Sequence, residues 1–266
     1  MENLKYFDVG RIIVAQKRKI CGFAFEAGYE ISVLRQLTEL AETYSVQILY
    51  VQFSMPKPND KTANAITFLD FSDSKLSPEE AEKILKKQKF VRSIELIKPL
   101  HNKFVSDTYF FPLVIDDNRA LIFRKEIYEG IFKGVRNQFG TAGEAFLYYV
   151  GFEIGKRAYM SYAQLAGTED LKALITTAKA VNMTLGWGIF KDIKINEKSK
   201  AATVTLSESF ECDLARGYGK PYSQFYRGAI AGMFTQYFKE KMKAEETKCI
   251  AKGDPYCQFE VSQHKT

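Results

Sequence analysis

Glu246, Cys249 and Cys257 follow one another with the spacing Glu-x2-Cys-x7-Cys, and Cys212 stands upstream of them. Thiolates and a carboxylate can complete a tetrahedral zinc shell, so zinc is the cofactor this set would take, and no other is expected. Cys212 joins only if the segment that carries it passes the loop holding Cys249. Two other readings of the thiols stay open: free cysteines, or a Cys249 to Cys257 disulfide, which needs their α-carbons within ~7 Å. Cys21 lies in an apolar run and reads as a small core residue. The two histidines, His101 and His264, leave little room for a histidine-based triad or shuttle. The chain contains no P-loop, Gly-x-Gly-x-x-Gly fingerprint or nucleophile elbow, and it is expected not to be an enzyme.

Aromatic residues concentrate in the same half of the chain. Tyr148, Tyr149, Phe152, Trp187, Phe190, Phe225 and Tyr226, with Phe234, are expected to wall an apolar cavity. Such cavities, with few polar groups, are the common form of small-ligand sites. The partner they imply is a small apolar or aromatic molecule.

These residues need elements to position them. At ~100 to 200 residues per domain, 266 residues suit two domains. Residues 20–25 form an apolar run, and Ile31, Leu34, Leu37, Leu40 and Ala41 follow at helical spacing. Two β-rich runs, 46–53 and 65–71, flank a polar turn at 56–60. Ser77-Pro78-Glu79-Glu80 then offers an N-cap, a proline at the first helical position and early acids, and a strand resumes at 93–97. The order is βαββαβ, the ferredoxin-like arrangement, over residues 1–99. Residues 100–118 read as a connecting segment that packs on the second domain, and residues 119–266 as that domain. The second domain opens with a strand at 119–124. Helices follow to about 135, at 144–159 and at 168–182, the second with Gly151 and Gly155 four apart for close packing. Strands at 192–195 and 201–206, a helix at 223–243 ending at Glu246, and a closing strand at 258–262 complete it. The fold class is α+β.

The stretch Gly28-Tyr29-Glu30-Ile31-Ser32-Val33-Leu34-Arg35, with the element order, makes the first 95 residues resemble an ACT domain, a small regulatory module. Four features in order, Phe210-Glu211-Cys212, Arg227-Gly228-Ala229-Ile230-Ala231-Gly232, Glu246-x-x-Cys249 and Gly253-Asp254-x-x-Cys257, make the second half resemble a 4-vinyl reductase (4VR) domain. That resemblance implies an α/β fold with helices packed on an antiparallel sheet, an apolar internal cavity and a small-molecule binder. Such domains occur in archaeal proteins and in aromatic-responsive transcription activators. It also implies that Glu246, Cys249 and Cys257 are three of four zinc ligands. The fourth in those relatives is a cysteine just before the Arg-Gly helix, where this chain has Ser223, a poor zinc ligand.

Together these readings predict an intracellular small-molecule sensor or regulatory protein, cytoplasmic and homodimeric. The runner-up is a DNA-binding transcription regulator with the second domain as its input; a reductase, suggested by the family name, comes after it. The net charge of +6 is interspersed along the chain as solvated surface, so nucleic acid is not the favoured partner. No apolar run reaches the ~18 residues of a membrane span.

Overall fold

The computed structural model describes residues 5–28, 32–54, 61–101 and 104–264. Residues 29–31 of the ACT-like stretch, and the turn expected at 56–60, lie outside the described residues. The chain divides into two compact units, Met1–Ile122 and Phe123–Thr266.

The first unit contains β1 (Ile12–Val14), β2 (Ile20–Gly28), α1 (Ser32–Tyr44), β3 (Gln47–Ser54), β4 (Thr62–Asp70), α2 (Pro78–Lys86), β5 (Val91–Ile97), β6 (Phe104–Ser106), β7 (Val114–Ile115) and β8 (Asn118–Arg119). Its main sheet is antiparallel in the order β3-β4-β2-β5, the strand arrangement of the βαββαβ reading. β2 is buried almost throughout because both its faces are covered. Cys21, Phe23, Phe25 and Ala27 point to a core with Leu37 and Leu40 of α1 and Ala81 and Leu85 of α2. Ile20 and Ala24 point the other way, toward Ala15 and Val105. In α1 the inward stripe is Val33, Leu37 and Leu40, whereas Leu34, expected on it, is exposed.

The α2 start forms as its sequence predicts: Ser77 Oγ accepts from Glu80 N–H at 3.2 Å, and Glu80 Oε2 accepts from Ser77 N–H at 2.8 Å. Residues 104–106, expected within a connecting segment, instead pair with β1, Ile12 opposite Ser106. This ribbon covers the sheet face that the helices leave bare, which is why Val105 is fully buried.

The second unit contains α3 (Lys125–Phe139), α4 (Thr141–Ala166), α5 (Leu171–Thr184), β9 (Ile189–Asn196), β10 (Ala201–Ser207), α6 (Phe210–Asp213), α7 (Gln224–Phe238), β11 (Met242–Lys248), a 3-10 turn (Ile250–Lys252) and β12 (Cys257–Gln263). The sheet is antiparallel, β11-β12-β10-β9. The molecule is α+β, as read from the sequence. Residues 120–124 are not a strand, and the β8 bridge is only two residues long.

The largest correction concerns the helix expected at 223–243. It ends at Phe238, Lys239 turns left-handed (φ 57°), and residues 242–248 are a strand. Met242 and Ala244 are buried with period two, and β11 pairs along β12 with Glu246 opposite Phe259. Helix-favouring Lys and Glu disguise this strand, and ladder pairing outweighs their weak propensity. Among the described residues no helix is long and apolar enough to cross a membrane.

α4 and α7 lie against each other through four glycines. A Cβ at Gly151 or Gly155 would sit 2.1 or 1.9 Å from the carbonyl oxygen of Phe225 or Ala229. At Gly228 or Gly232 it would sit 1.9 or 2.0 Å from that of Tyr148 or Phe152. The backbones meet where side chains would normally stand, which fixes α7 and the site at its N-terminal end.

Candidate metal centre and apolar cleft

Four elements bring the predicted ligands together. Cys212 sits in α6, whose start is capped by Ser209 Oγ accepting from Cys212 N–H at 3.3 Å. Sequence reasoning placed Cys212 at a strand end; the chain turns helical there because Ser209 offers the cap. Glu246 projects from β11 rather than from a helix end. Cys249 follows it, and its N–H donates to Asp254 Oδ2 at 2.8 Å. Gly253, at φ 111°, completes that tight loop, a conformation costly for any residue with a Cβ. Cys257 opens β12, its sulfur accepting from Ile250 N–H at 3.4 Å.

The ligand atoms of Cys212, Glu246, Cys249 and Cys257 all lie within 4.8 Å of one another. The Cys212 sulfur is 3.5 Å from that of Cys249 and 3.4 Å from that of Cys257. All three thiols are free and fully buried, which separates them from the disulfide alternative. Ser223 stands beside them, its Oγ 2.8 Å from the Cys212 sulfur and 2.7 Å from Glu246 Oε1.

This arrangement suits a cation. Burial, then the neighbouring Cys249, pushes the Glu246 carboxyl up to about 8. The hydrogen bond shared with Cys249 leads the causes that push Cys212 up to about 12, while hydrogen bonds from Cys212 and Cys257 draw Cys249 down. Four acids packed in a dry site cannot all ionise unless positive charge joins them. Sulfurs bound at ~2.3 Å to one tetrahedral zinc stand about 3.8 Å apart, a few tenths more than the spacing here. The residues therefore fit zinc, and Cys249, Cys257, Glu246 and a fourth neighbour would hold it.

A second buried polar network, which sequence reasoning missed, adjoins the centre. Glu211 accepts from the N–H groups of Phe225 (3.1 Å) and Tyr226 (3.0 Å) at the start of α7, and from Arg136 at 2.5 Å. Complete burial raises its carboxyl pKa, against the pull of Arg136 and those two N–H groups. Arg136 also stacks on Tyr222, 3.8 Å from the ring centre, and donates to Tyr222 O and Gln224. Glu211 next to Cys212, with an arginine on an earlier helix, was the available signal.

The aromatic residues do not form the expected cavity wall. Phe190, Phe225 and Tyr226 are buried core. Trp187 packs on Phe210 and Phe225 in a closed edge-to-face cluster that also includes Phe132. Tyr148 and Phe152 stack on each other on α4, with Arg227 over Tyr148, and Tyr149 is 67% exposed. Rings of this size fill the space between α7 and the sheet completely.

The apolar opening lies at the other end of α7. Tyr159, Tyr162, Leu174, Ile175, Met233 and Tyr237 are among its walls, and it has a volume of about 40 Å³. Of the aromatic set, only Phe234 reaches it. The signal in the sequence was the helical spacing of Leu171, Leu174, Ile175 and Ala178, which reads as ordinary core. A wider, polar groove of about 610 Å³ runs past Lys133, Glu144, Tyr218 and Lys220; its mixed charges define no ligand.

An antiparallel sheet backed by glycine-locked helices, with a thiol and carboxylate cluster at the head of α7, places the second unit in a known class: residues 202–263 match the vinyl-4-reductase (4VR) domain. The chain is 31% identical over 135 residues to Uncharacterized protein MJ0150 of Methanocaldococcus jannaschii, covering 49% of this chain and 73% of that protein. It belongs to the family of that protein. Among solved structures, the phenol-responsive sensory domain of the transcription activator PoxR with phenol aligns at 14% identity, over 56% of this chain and 79% of that one, with a TM-score of 0.49. A vinyl-4-reductase family protein from Methanocaldococcus jannaschii aligns at 20% identity, over 55% and 100%, with a TM-score of 0.32.

Proposed function

We propose that this protein is a small-molecule sensor or regulatory protein whose second unit takes an apolar or aromatic molecule into the cleft between α4, α5, α7 and β9. The observation that carries the reading is the cleft itself. Its walls are aliphatic side chains and phenol rings, and three of its residues, Met233, Phe234 and Tyr237, lie on α7, the helix the thiol cluster anchors. The match to the vinyl-4-reductase domain supports a binding role for this unit. A volume of about 40 Å³ holds only a few water-sized spheres. A ligand must therefore widen the cleft, and that movement is the signal a sensor transmits.

The role is binding rather than catalysis, because a nucleophile must be reached by its substrate and all three clustered thiols are fully buried. The first unit is the regulatory module, and the chain acts as a homodimer; light scattering that gave the mass of one chain at every concentration would contradict the dimer.

The test uses phenol and decanoate as probes in thermal-shift and native mass-spectrometry measurements on the full chain. One probe should bind and raise the melting temperature. An Ile175→Phe substitution, which fills the cleft, should remove the shift. If neither probe binds, or if Ile175→Phe leaves the shift intact, the cleft is core and the reading fails.

A further inference from the structure

Five polar side chains converge on the head of α7, but a tetrahedral ion takes four. The relatives' position just before the Arg-Gly helix belongs here to Ser223, and Cys212 comes from a different element. The distances separate these two candidates. In a tetrahedral shell with zinc–oxygen bonds near ~2.1 Å and zinc–sulfur bonds near ~2.3 Å, a ligand oxygen stands about 3.6 Å from a ligand sulfur and about 3.4 Å from a second ligand oxygen. Ser223 Oγ is 2.8 Å from the Cys212 sulfur and 2.7 Å from Glu246 Oε1, which are hydrogen-bond separations and too short for neighbours in one shell. The Cys212 sulfur, at 3.5 and 3.4 Å from the two other sulfurs, lies close to a shell edge.

We propose that Cys212 of α6 is the fourth ligand of a zinc centre built from three cysteines and one glutamate, and that Ser223 is an outer hydrogen-bond donor that aims Glu246. The proposal rests on the reading of the cluster as a metal centre. The chemistry agrees with the geometry. A thiolate is a far better zinc ligand than a serine hydroxyl, and metal binding releases the thiol protons that a dry cluster would otherwise retain. Ser223 already spends its donors on Glu246: its N–H donates to Oε2 at 3.1 Å and its hydroxyl to Oε1 at 2.7 Å. A carboxylate so held presents a fixed face to the ion, the usual part of a residue behind the ligands.

Moving the ligand to α6 has a mechanical consequence. Glu211 is the next residue in the chain, and it holds the first N–H groups of α7 and Arg136 of α3. Zinc bound through Cys212 therefore fastens α6, β11 and β12 to the start of the helix that lines the cleft. The centre acts as a clamp on α7 as well as on the loop between β11 and β12.

The probe is cobalt(II) alone, added to the metal-stripped, reduced full chain, with X-ray absorption on the zinc-loaded chain as a count that needs no variant. One metal per chain with three sulfur neighbours is expected. Thiolate-to-cobalt absorption should fall by about a third in Cys212→Ser, with zinc affinity more than ~100-fold weaker and faster hydrogen exchange in the first turn of α7. Ser223→Ala should keep the full absorption, and its affinity should drop within the roughly 10- to 100-fold of one lost outer contact. The double change Cys212→Ser with Ser223→Cys should restore the third thiolate. A chain that takes up no stoichiometric metal would sink the metal reading itself. Metal bound with two sulfurs, unaltered in Cys212→Ser and lost in Ser223→Ala, would leave that reading standing and overturn the assignment of Cys212.

Discussion

Gly155→Ala should weaken the second unit, although the same exchange strengthens most helices. In a helix interior alanine is worth about 1 kcal/mol more than glycine. At Gly155 the added methyl would lie 1.9 Å from Ala229 O, whereas ordinary contact begins near 3.4 Å. The helices would have to part by roughly 1.5 Å along that direction, and no rotamer change can relieve a clash with backbone. α7 cannot yield freely, since Glu211 holds its first turn and Phe234, Ile230 and Phe225 are buried in the core on its inner side. Overpacking of this kind costs about 1 to 3 kcal/mol, at the upper end where backbone is struck, so a net loss of about 2 kcal/mol is expected after the propensity gain. Gly130 of α3 is the control: a Cβ there meets nothing within 4 Å, and Gly130→Ala should stabilise by about 0.5 to 1 kcal/mol. Urea unfolding followed by fluorescence reads both, because Trp187 is the only tryptophan and lies in the second unit. With a slope of ~2 kcal/mol/M the midpoint should move down by about 1 M for Gly155→Ala and up by a few tenths for Gly130→Ala. Adding Gly228→Ala to Gly155→Ala should cost less than the sum of the two, since the first methyl has already parted the helices. Equal stabilisation by Gly155→Ala and Gly130→Ala would refute the close approach of α4 and α7.

Glu211→Gln should destabilise the second unit by about 3 to 5 kcal/mol in the same urea assay, because it leaves the Arg136 guanidinium buried without a counter-charge. If the thiol cluster is a zinc centre, a chelator should lower the melting temperature of the native chain and leave that of Cys249→Ser unchanged, while a reductant alone should affect neither, since the four thiols are already free. Burial raises the phenol groups of Tyr159, Tyr162 and Tyr226, and pushes Tyr237 up to about 12. These rings bind their protons more tightly folded than unfolded, so the stability they contribute is complete below the unfolded value of about 10 and is lost as pH rises through the folded values. Phenolate absorbance should therefore appear late and together with unfolding; a titration of all fifteen tyrosines near pH ~10 in the folded chain would contradict the burial of these four.

Local chemistry made much of the architecture readable. Ser77-Pro78-Glu79-Glu80 builds a helix start whose donors and acceptors all lie within four residues, so nothing distant can change it. The run from Ile20 to Phe25 announced a strand buried on both faces, and the alternation of period two against helical spacing gave the βαββαβ order and the α+β class. Gly151 and Gly155 marked a close helix contact, because only missing side chains permit one. Tertiary structure decided the rest. Residues 242–248 carry a helical composition and became a strand because β12 offers them a ladder and the core receives Met242 and Ala244. Residues 104–106 left the connecting segment because one face of the first sheet would otherwise be bare. The aromatic set was chosen by ring type, which cannot tell a cavity wall from a filled core; Trp187, Phe225 and Tyr226 close on one another, and the opening falls to Tyr159, Tyr162 and Met233. The ligand cluster shows the division most clearly. Glu246, Cys249 and Cys257 stand near one another in the chain and were legible as a set, whereas Cys212 lies 34 residues before Glu246 and reaches them only because Ser209 starts a short helix where the chain passes β12. Spacing reports what a local segment can do, and the meeting of distant segments is set by packing and hydrogen bonding that no single segment contains.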